Sequence, residues 1–239
     1  MQNIQDKIVL ITGGSKGIGF GIAKVLMDKK IRVAVTSRSE ARAREAADML
    51  NKGGQGEAIG IGADVRKFQD QIKAVKAVID KWGKLDVLVA NAGLGHFASI
   101  EEMTEEQWSE TIDTNLTGVF NSVKASISEL KKTEGYVITI GSLAGTNFFA
   151  GGSAYNASKF GLAGFSQAVM LDLRHEGIKV STIMPGSVAS YFNDNDPDSS
   201  DGWKIQPEDI GELVVDLLQM HPRTLPSKVE VRPSVPPKK

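Results

Sequence analysis

Cysteine is absent from the 239 residues. That excludes disulfides, thiolate metal sites and cysteine nucleophiles together, and it fits a reducing, cytoplasmic setting. An excess of either charge is also missing: 28 Lys and Arg oppose 29 Asp and Glu, for a formal net charge of -1. The cations are interleaved with acids, so nothing recommends nucleic acid as a partner. No stretch approaches the about 18 uninterrupted apolar residues of a membrane span. The opening Met1-Gln2-Asn3-Ile4-Gln5-Asp6-Lys7 has neither a basic n-region nor an apolar h-region, so no signal peptide is expected. There is no Gly-x-Ser-x-Gly elbow, and His96, His175 and His221 form no evident hydrolase triad with a serine. Neither an internal repeat nor a low-complexity segment is visible, and no metal-ligating set stands out.

What is present is alternation. Ile8-Val9-Leu10-Ile11 is a short apolar run ending in glycines, as in a strand buried on both faces. Helical spacing follows over 17–29, then strand 33–35, helix 40–50, a weaker strand 58–61, helix 68–81 and strand 85–89. A long helical region is expected over 105–130, a strand over 136–140, a helix over 153–175 and a strand over 180–184. A helix near 207–220 and a strand near 228–231 close the pattern. Such alternation predicts an α/β, doubly wound (Rossmann) parallel sheet of about seven strands, with helices on both faces. The chain is expected to be one dinucleotide-binding and catalytic domain over 1–239. The polar stretch 193–202 reads as a mobile surface loop and the Pro-rich 233–239 as a frayed tail.

A strand, then glycines, then a helix start presents backbone N–H groups to an anion. Gly13, Gly17 and Gly19, with Ser15, Lys16 and Ile18 between them, form Gly-x-x-x-Gly-x-Gly. This spacing is neither the commoner dinucleotide fingerprint nor a P-loop. The tip of the second strand, Thr36-Ser37-Arg38-Ser39, lacks the carboxylate that would bind a ribose 2′-hydroxyl. Arg38 can instead fork onto a 2′-phosphate, with Lys16 as a second cation, unless both are simply solvated. That favours NADP(H) over NAD. Asp64, followed by Val65, is placed to reach an adenine edge or to cap a helix. Asn91-Ala92-Gly93 is either a small-residue loop against the cofactor or a plain turn.

Tyr155 and Lys159 are four residues apart on an expected helix, thirteen residues after Ser142. They point the same way. A phenol has a pKa of about 10, and a nearby ammonium is expected to lower it toward the range useful for acid–base work. Ser142 follows the fifth strand, at the sheet's carboxyl edge, where ligands bind in such sheets. On spacing alone Tyr-x-x-x-Lys is a common helix-surface pair.

With these motifs in this order, the chain resembles the short-chain dehydrogenase/reductase family over nearly its whole length, most similarly the 3-oxoacyl-thioester reductase-like and carbonyl reductase-like members. The family's Thr-Gly-x-x-x-Gly-x-Gly matches Thr12 to Gly19, its Asn-Ala-Gly matches Asn91 to Gly93, and its Pro-Gly turn matches Pro185-Gly186. Its helix asparagine, serine and Tyr-x-x-x-Lys match Asn115, Ser142, Tyr155 and Lys159. The resemblance implies that Tyr155 gives a proton to a carbonyl oxygen and that Lys159 holds the nicotinamide ribose. It implies that Ser142 steadies the oxyanion and that Asn115 holds a water linking Lys159 to solvent. Without it, Asn115 reads as a polar kink in a long helix. Pro185, Gly186, Val188 and Ser190 would hold the nicotinamide carboxamide. Ser190 replaces the usual threonine, and Ala90 stands where many members carry asparagine.

A substrate loop is expected over about 188–206, bringing Tyr191, Phe192 and Trp203, with Phe148, Phe149, His96 and Phe97 as the opposite wall. The expected activity is NADP(H)-dependent hydride transfer between the nicotinamide and a carbonyl or secondary alcohol with an apolar part, 3-oxoacyl thioesters included. The short segment after Val231 argues against a carrier-protein-specific enzyme. The competing readings are an NAD-linked alcohol or sugar dehydrogenase and a non-catalytic NADP-sensing protein. The resemblance also implies a homodimer or homotetramer built on the long helices.

Overall fold

Ile8-Val9-Leu10-Ile11 contains no side chain that gains from water, and all four residues are buried. Their period-2 geometry sends them to opposite sides. Val9 and Ile11 join one core with Ile22, Leu26, Ile210 and Val214, while Ile8 and Leu10 join a second with Val75, Val78, Val123 and Leu162. Each such aliphatic, fully buried, contributes about 1.5–3 kcal/mol. A sheet with a core on each face therefore follows from these residues.

The computed structural model describes residues 2–192 and 195–237. Its seven strands are β1 (Ile8–Ile11), β2 (Arg32–Ser37), β3 (Ala58–Gly62), β4 (Val87–Ala90), β5 (Tyr136–Ile140), β6 (Lys179–Pro185) and β7 (Lys228–Val231). All pairings are parallel, in the order β3-β2-β1-β4-β5-β6-β7. Helices α1 (Gly17–Asp28), α2 (Glu40–Gly53), α3 (Phe68–Trp82), α4 (Glu105–Ile112), α5 (Gly118–Lys132), α6 (Ser153–Leu173) and α7 (Pro207–Gln219) cover the two faces. Central β1, β4 and β5 are buried throughout, whereas edge strand β7 alternates exposed Lys228 and Glu230 with half-buried valines. Charged edge residues discourage a further strand from pairing there.

The chain leaves β1 toward β2 on one side and returns to β4 on the other, so the connections diverge at the carboxyl ends of β1 and β4. That divergence opens a crevice at the sheet's edge, and the candidate site lies in it.

One local expectation holds with a difference and one fails. The helical region expected over 105–130 is helical throughout, but a π-helical turn, Asp113–Thr117, joins α4 to α5. α4 begins with a capping box between Thr104 and Gln107, but nothing in the apolar spacing marks the wider turn. The loop expected over 193–202 contains a 3₁₀ helix, Ser199–Trp203. Asp198 caps it by accepting from the Ser200 N–H at 2.7 Å, and the buried Asp201 pairs with Lys204 at 2.6 Å. Asn193 and Asp194, and Lys238 and Lys239 of the tail, lie outside the described residues.

Candidate active site

β1 runs straight into the glycine turn. Gly13 (φ 64°) and Gly17 (φ 58°) occupy the left-handed region, where a side chain is strained. A Cβ on Gly13 would also lie 2.8 Å from the Ala92 Cα. Lys16 caps α1 with extended backbone, and the first amides of that helix have no partner within it. They face a cleft of about 680 Å³ whose floor includes Gly13, Ser15, Lys16, Gly17 and Ile18. The loop after β4 is tied to the turn. Thr12 Oγ1 accepts from the Asn91 and Ala92 N–H groups, both at 3.1 Å, and Asn91 Nδ2 donates to the Thr12 and Gly13 carbonyls, both at 3.0 Å. Asn91, Ala92 and Gly93 line the cleft. Gly19 does not. It lets α1 approach that loop, since a Cβ there would be 2.6 Å from Asn91 Nδ2.

The far end of the cleft is lined by Ser37, Arg38, Asp64 and Val65, as expected, and also by Ser39 and Arg42. Arg42 lies four residues beyond Arg38, in the first turn of α2; that spacing is the signal that would have found it. Ser39 caps α2 by accepting from the Arg42 N–H. Asp64 caps no helix, because the cap of α3 is Lys67. Its carboxylate binds the Arg66 backbone at 3.0 Å and side chain at 2.7 Å. The Arg66 side-chain bond, foremost, holds the Asp64 carboxyl below its usual range.

At the near end the cleft meets a second one of about 800 Å³, and Tyr155 lines both. Lys159 faces the first, while Ser142, Pro185, Gly186 and Val188 face the second. Ser190 faces both, and its carbonyl accepts from Asn195 Nδ2 at 2.9 Å. Ser142 is near enough to the Tyr155 phenol to bear on its pKa, and its Oγ accepts from the Ala144 N–H at 3.1 Å. Lys159 Nζ lies 5.7 Å from the centre of the Tyr155 ring and donates to the Ile140 carbonyl at 3.1 Å. The expected lowering of the Tyr155 pKa is not found. Burial pushes the phenol up, and the nearby Ser142 side chain only partly offsets this. Burial also pushes Lys159 down, to about 8. Each group has lost water, so each is less readily charged.

Asn115 stands behind these groups, fully buried in the π turn. Its Oδ1 accepts from the Leu94 N–H at 2.9 Å, and its Nδ2 donates to the Leu94 carbonyl at 2.8 Å and to Ser158 Oγ at 3.0 Å. Ser158 Oγ in turn donates to the Tyr155 carbonyl at 2.8 Å. Asn115 thus joins the β4 loop to α6 beside Tyr155 and Lys159.

Comparison with known proteins gives this arrangement its family. The model of the short chain dehydrogenase family matches residues 7–200. The chain belongs to that family. It is 36% identical over 188 residues to a 3-oxoacyl-acyl-carrier-protein reductase of Vibrio cholerae, covering 78% of this chain and 75% of that one. It is 31% identical over 234 residues to an uncharacterized oxidoreductase of Staphylococcus saprophyticus, covering 98% of this chain and all of the other (100%). Among solved structures, an alcohol dehydrogenase from the archaeon Thermococcus sibiricus complexed with 5-hydroxy-NADP superposes with a TM-score of 0.91 at 29% identity, covering 98% and 100% of the two chains.

Within this short-chain dehydrogenase fold the expected aromatic walls are partly realised. Phe97 and Phe192 each lie 5.4 Å from the Tyr155 ring, centre to centre, and Phe149 is 5.9 Å from Phe97. Trp203 lines the second cleft, as do Pro233 and Pro236 of the segment expected to fray. Tyr191 lines the first cleft, under Lys16 Nζ at 5.5 Å. Two expected wall residues go elsewhere: Phe148 is 87% exposed, and His96 Nε2 binds Glu110 at 3.0 Å.

Proposed function

We propose that the protein is an NADP(H)-dependent oxidoreductase that reduces a carbonyl, or oxidises the corresponding secondary alcohol, carrying an apolar part. The observation that carries this reading is Tyr155 lining both clefts where they meet, with Ser142 in the second cleft and Lys159 beside the ring in the first. The residues fit a dinucleotide. The α1 N-terminus favours a pyrophosphate, and Arg38 and Arg42 line the cleft beyond the tip of β2, while Lys16 lines it from the glycine turn. Two arginines there and no carboxylate at the tip of β2 favour a 2′-phosphate. When bound, the nicotinamide supplies or accepts the hydride.

The chain's own residues handle the proton. The raised pKa keeps the Tyr155 hydroxyl protonated near neutrality, which suits donation to a carbonyl oxygen and so suits reduction. Ser142 orients that oxygen by hydrogen bonding. Lys159 holds the nicotinamide ribose, Asn115 keeps the β4 loop and α6 in register, and Val188 and Ser190 hold the carboxamide end. Phe97, Phe149 and Phe192 exclude water and favour an apolar flank on the carbonyl. A 3-oxoacyl thioester is one such substrate, and the Vibrio cholerae relative supports testing it first. A homo-oligomer is proposed through α5 and α6, where Phe120, Phe160 and Leu171 are exposed.

NADPH and NADH oxidation against apolar ketones, 3-oxoesters and quinones tests the assignment. Tyr155→Phe is expected to lower kcat about 10²–10⁴-fold, the usual reach of acid–base catalysis, with coenzyme binding retained. Full activity in that variant would remove Tyr155 from the chemistry.

A further inference from the structure

Arg38 is not a free cation. Its Nη1 lies 3.4 Å from Glu110 Oε1, on α4, across the rim of the nucleotide cleft. Glu110 is crowded with donors: Arg66 Nη1 is 3.5 Å from the same oxygen, and His96 Nε2 is 3.0 Å from the other. Arg66 has a second, closer acid in Asp64 at 2.7 Å. Glu110 is the one acid within ion-pair distance of Arg38 among the described residues. Arg38 lines the cleft and Glu110 does not, so the carboxylate holds Arg38 from outside the cleft lining.

Two opposite effects follow from such a neighbour. The carboxylate can aim Arg38, or it can hold back donors that a phosphate would use. One nitrogen at 3.4 Å, on a side chain 64% exposed, aims a guanidinium poorly, because orientation comes from the two-pronged fork. An exposed pair is weak but not free to break. We propose that Glu110 is a specificity-determining residue that competes with the coenzyme 2′-phosphate for Arg38, moderating the preference for NADP(H) over NAD(H). This rests on the reading of the cleft as an NADP(H) site. NADP(H) must draw Arg38 off Glu110, whereas NAD(H) has nothing to draw it with. Breaking an exposed pair corresponds to about a two- to fivefold weakening, so preference for the phosphorylated coenzyme is that much below what Arg38 alone would confer.

Dissociation constants for NADPH and NADH, measured by fluorescence titration of wild type, Glu110→Gln, Arg38→Ser and the double variant, test this. Glu110→Gln is expected to tighten NADPH about two- to fivefold and leave NADH unchanged, and the gain is expected to vanish in the Arg38→Ser background. A merely structural role would move both coenzymes together. A folded Glu110→Gln that binds NADPH no tighter, or that gains equally without Arg38, overturns the proposal. Should Glu110→Gln not fold, Glu110→Asp, which draws the carboxylate back by one methylene, is expected to raise the NADPH-to-NADH preference, and an unchanged ratio overturns it. NADPH preference abolished by Arg38→Ser but untouched at position 110 sinks this proposal alone. A wild type that binds both coenzymes alike, with Arg38→Ser altering neither, sinks the cofactor reading and this proposal with it.

Discussion

Lys159 should make the coenzyme-free protein less stable, by an amount that depends on pH. The amine is 5% exposed, and burial pushes its pKa from 10.5 to about 8. Below pH 8 both the folded and unfolded chains hold this proton, and the full cost of burying the charge stands. Between pH 8 and 10.5 the unfolded chain holds more of the proton than the folded one, so stability rises with pH there. A tenfold change in proton affinity is worth about 1.36 kcal/mol, which puts the cost at about 3 kcal/mol at pH 7 and about 1.5 kcal/mol at pH 9.5. Lys159→Met keeps the length and removes the charge. It also deprives the Ile140 carbonyl of its donor, about 1 kcal/mol at every pH. The variant should therefore be more stable than wild type by about 2 kcal/mol at pH 7, roughly 4–8 °C in Tm for a domain of this size. The gap should nearly close by pH 9.5. Thermal unfolding of both proteins across pH 7–9.5, without coenzyme, measures it. A variant less stable at pH 7, or a gap that fails to narrow, refutes the claim that an uncompensated buried charge sits in this site.

Two further substitutions separate tight places from open ones. Gly19→Ala should gain about 1 kcal/mol of helix propensity, but it sets a methyl 2.6 Å from Asn91 Nδ2 and from the Gly13 carbonyl. Overpacking of about 1–3 kcal/mol plus strained Asn91 bonds wins, so Tm and coenzyme affinity should both fall, while Gly53→Ala, whose Cβ meets nothing within 4 Å, should be neutral or stabilising by up to about 1 kcal/mol. Asn115→Ala strands the Leu94 N–H and carbonyl and should cost about 2–4 kcal/mol in urea unfolding; a loss under about 1 kcal/mol would mean water replaces it.

How much of the molecule is legible from its residues depends on the kind of signal. Ile8–Ile11, Tyr136–Ile140 and Lys228–Val231 are strands over the expected residues, because short apolar or alternating runs flanked by turn residues admit few other structures. The cleft-lining glycines, Ser142, Tyr155 and Lys159 are legible as motifs, and the fold brings them to one edge of the sheet. The π turn is not, since the phase shift that its extra residue makes falls in the mostly polar Asp113–Thr117, where little apolar pattern marks it. Nor is the Ser199–Trp203 helix, whose Asp198 cap looks like any polar turn until its partner is seen. The Tyr155 pKa moves against expectation for a physical reason. Sequence spacing shows that a lysine is near a tyrosine, but it cannot show how much water both have lost, and here burial dominates.

The site sets residues against one another. Asn115, through three bonds to Leu94 and Ser158, draws the β4 loop and α6 together. Lys159, the neighbour of Ser158, is buried beside that closure. The two meet at Gly93, where a Cβ would lie 3.2 Å from Asn115 Oδ1 and 3.7 Å from Lys159 Nζ. The contact that ties the β4 loop to α6 therefore lies beside the buried amine. A π turn is a fitting place for such a residue, because an unbroken α-helix from 105 to 130 would carry its hydrogen bonds through this point with no widened turn to house an inward asparagine. A widened helical turn, a buried asparagine and a desolvated lysine thus meet in one place.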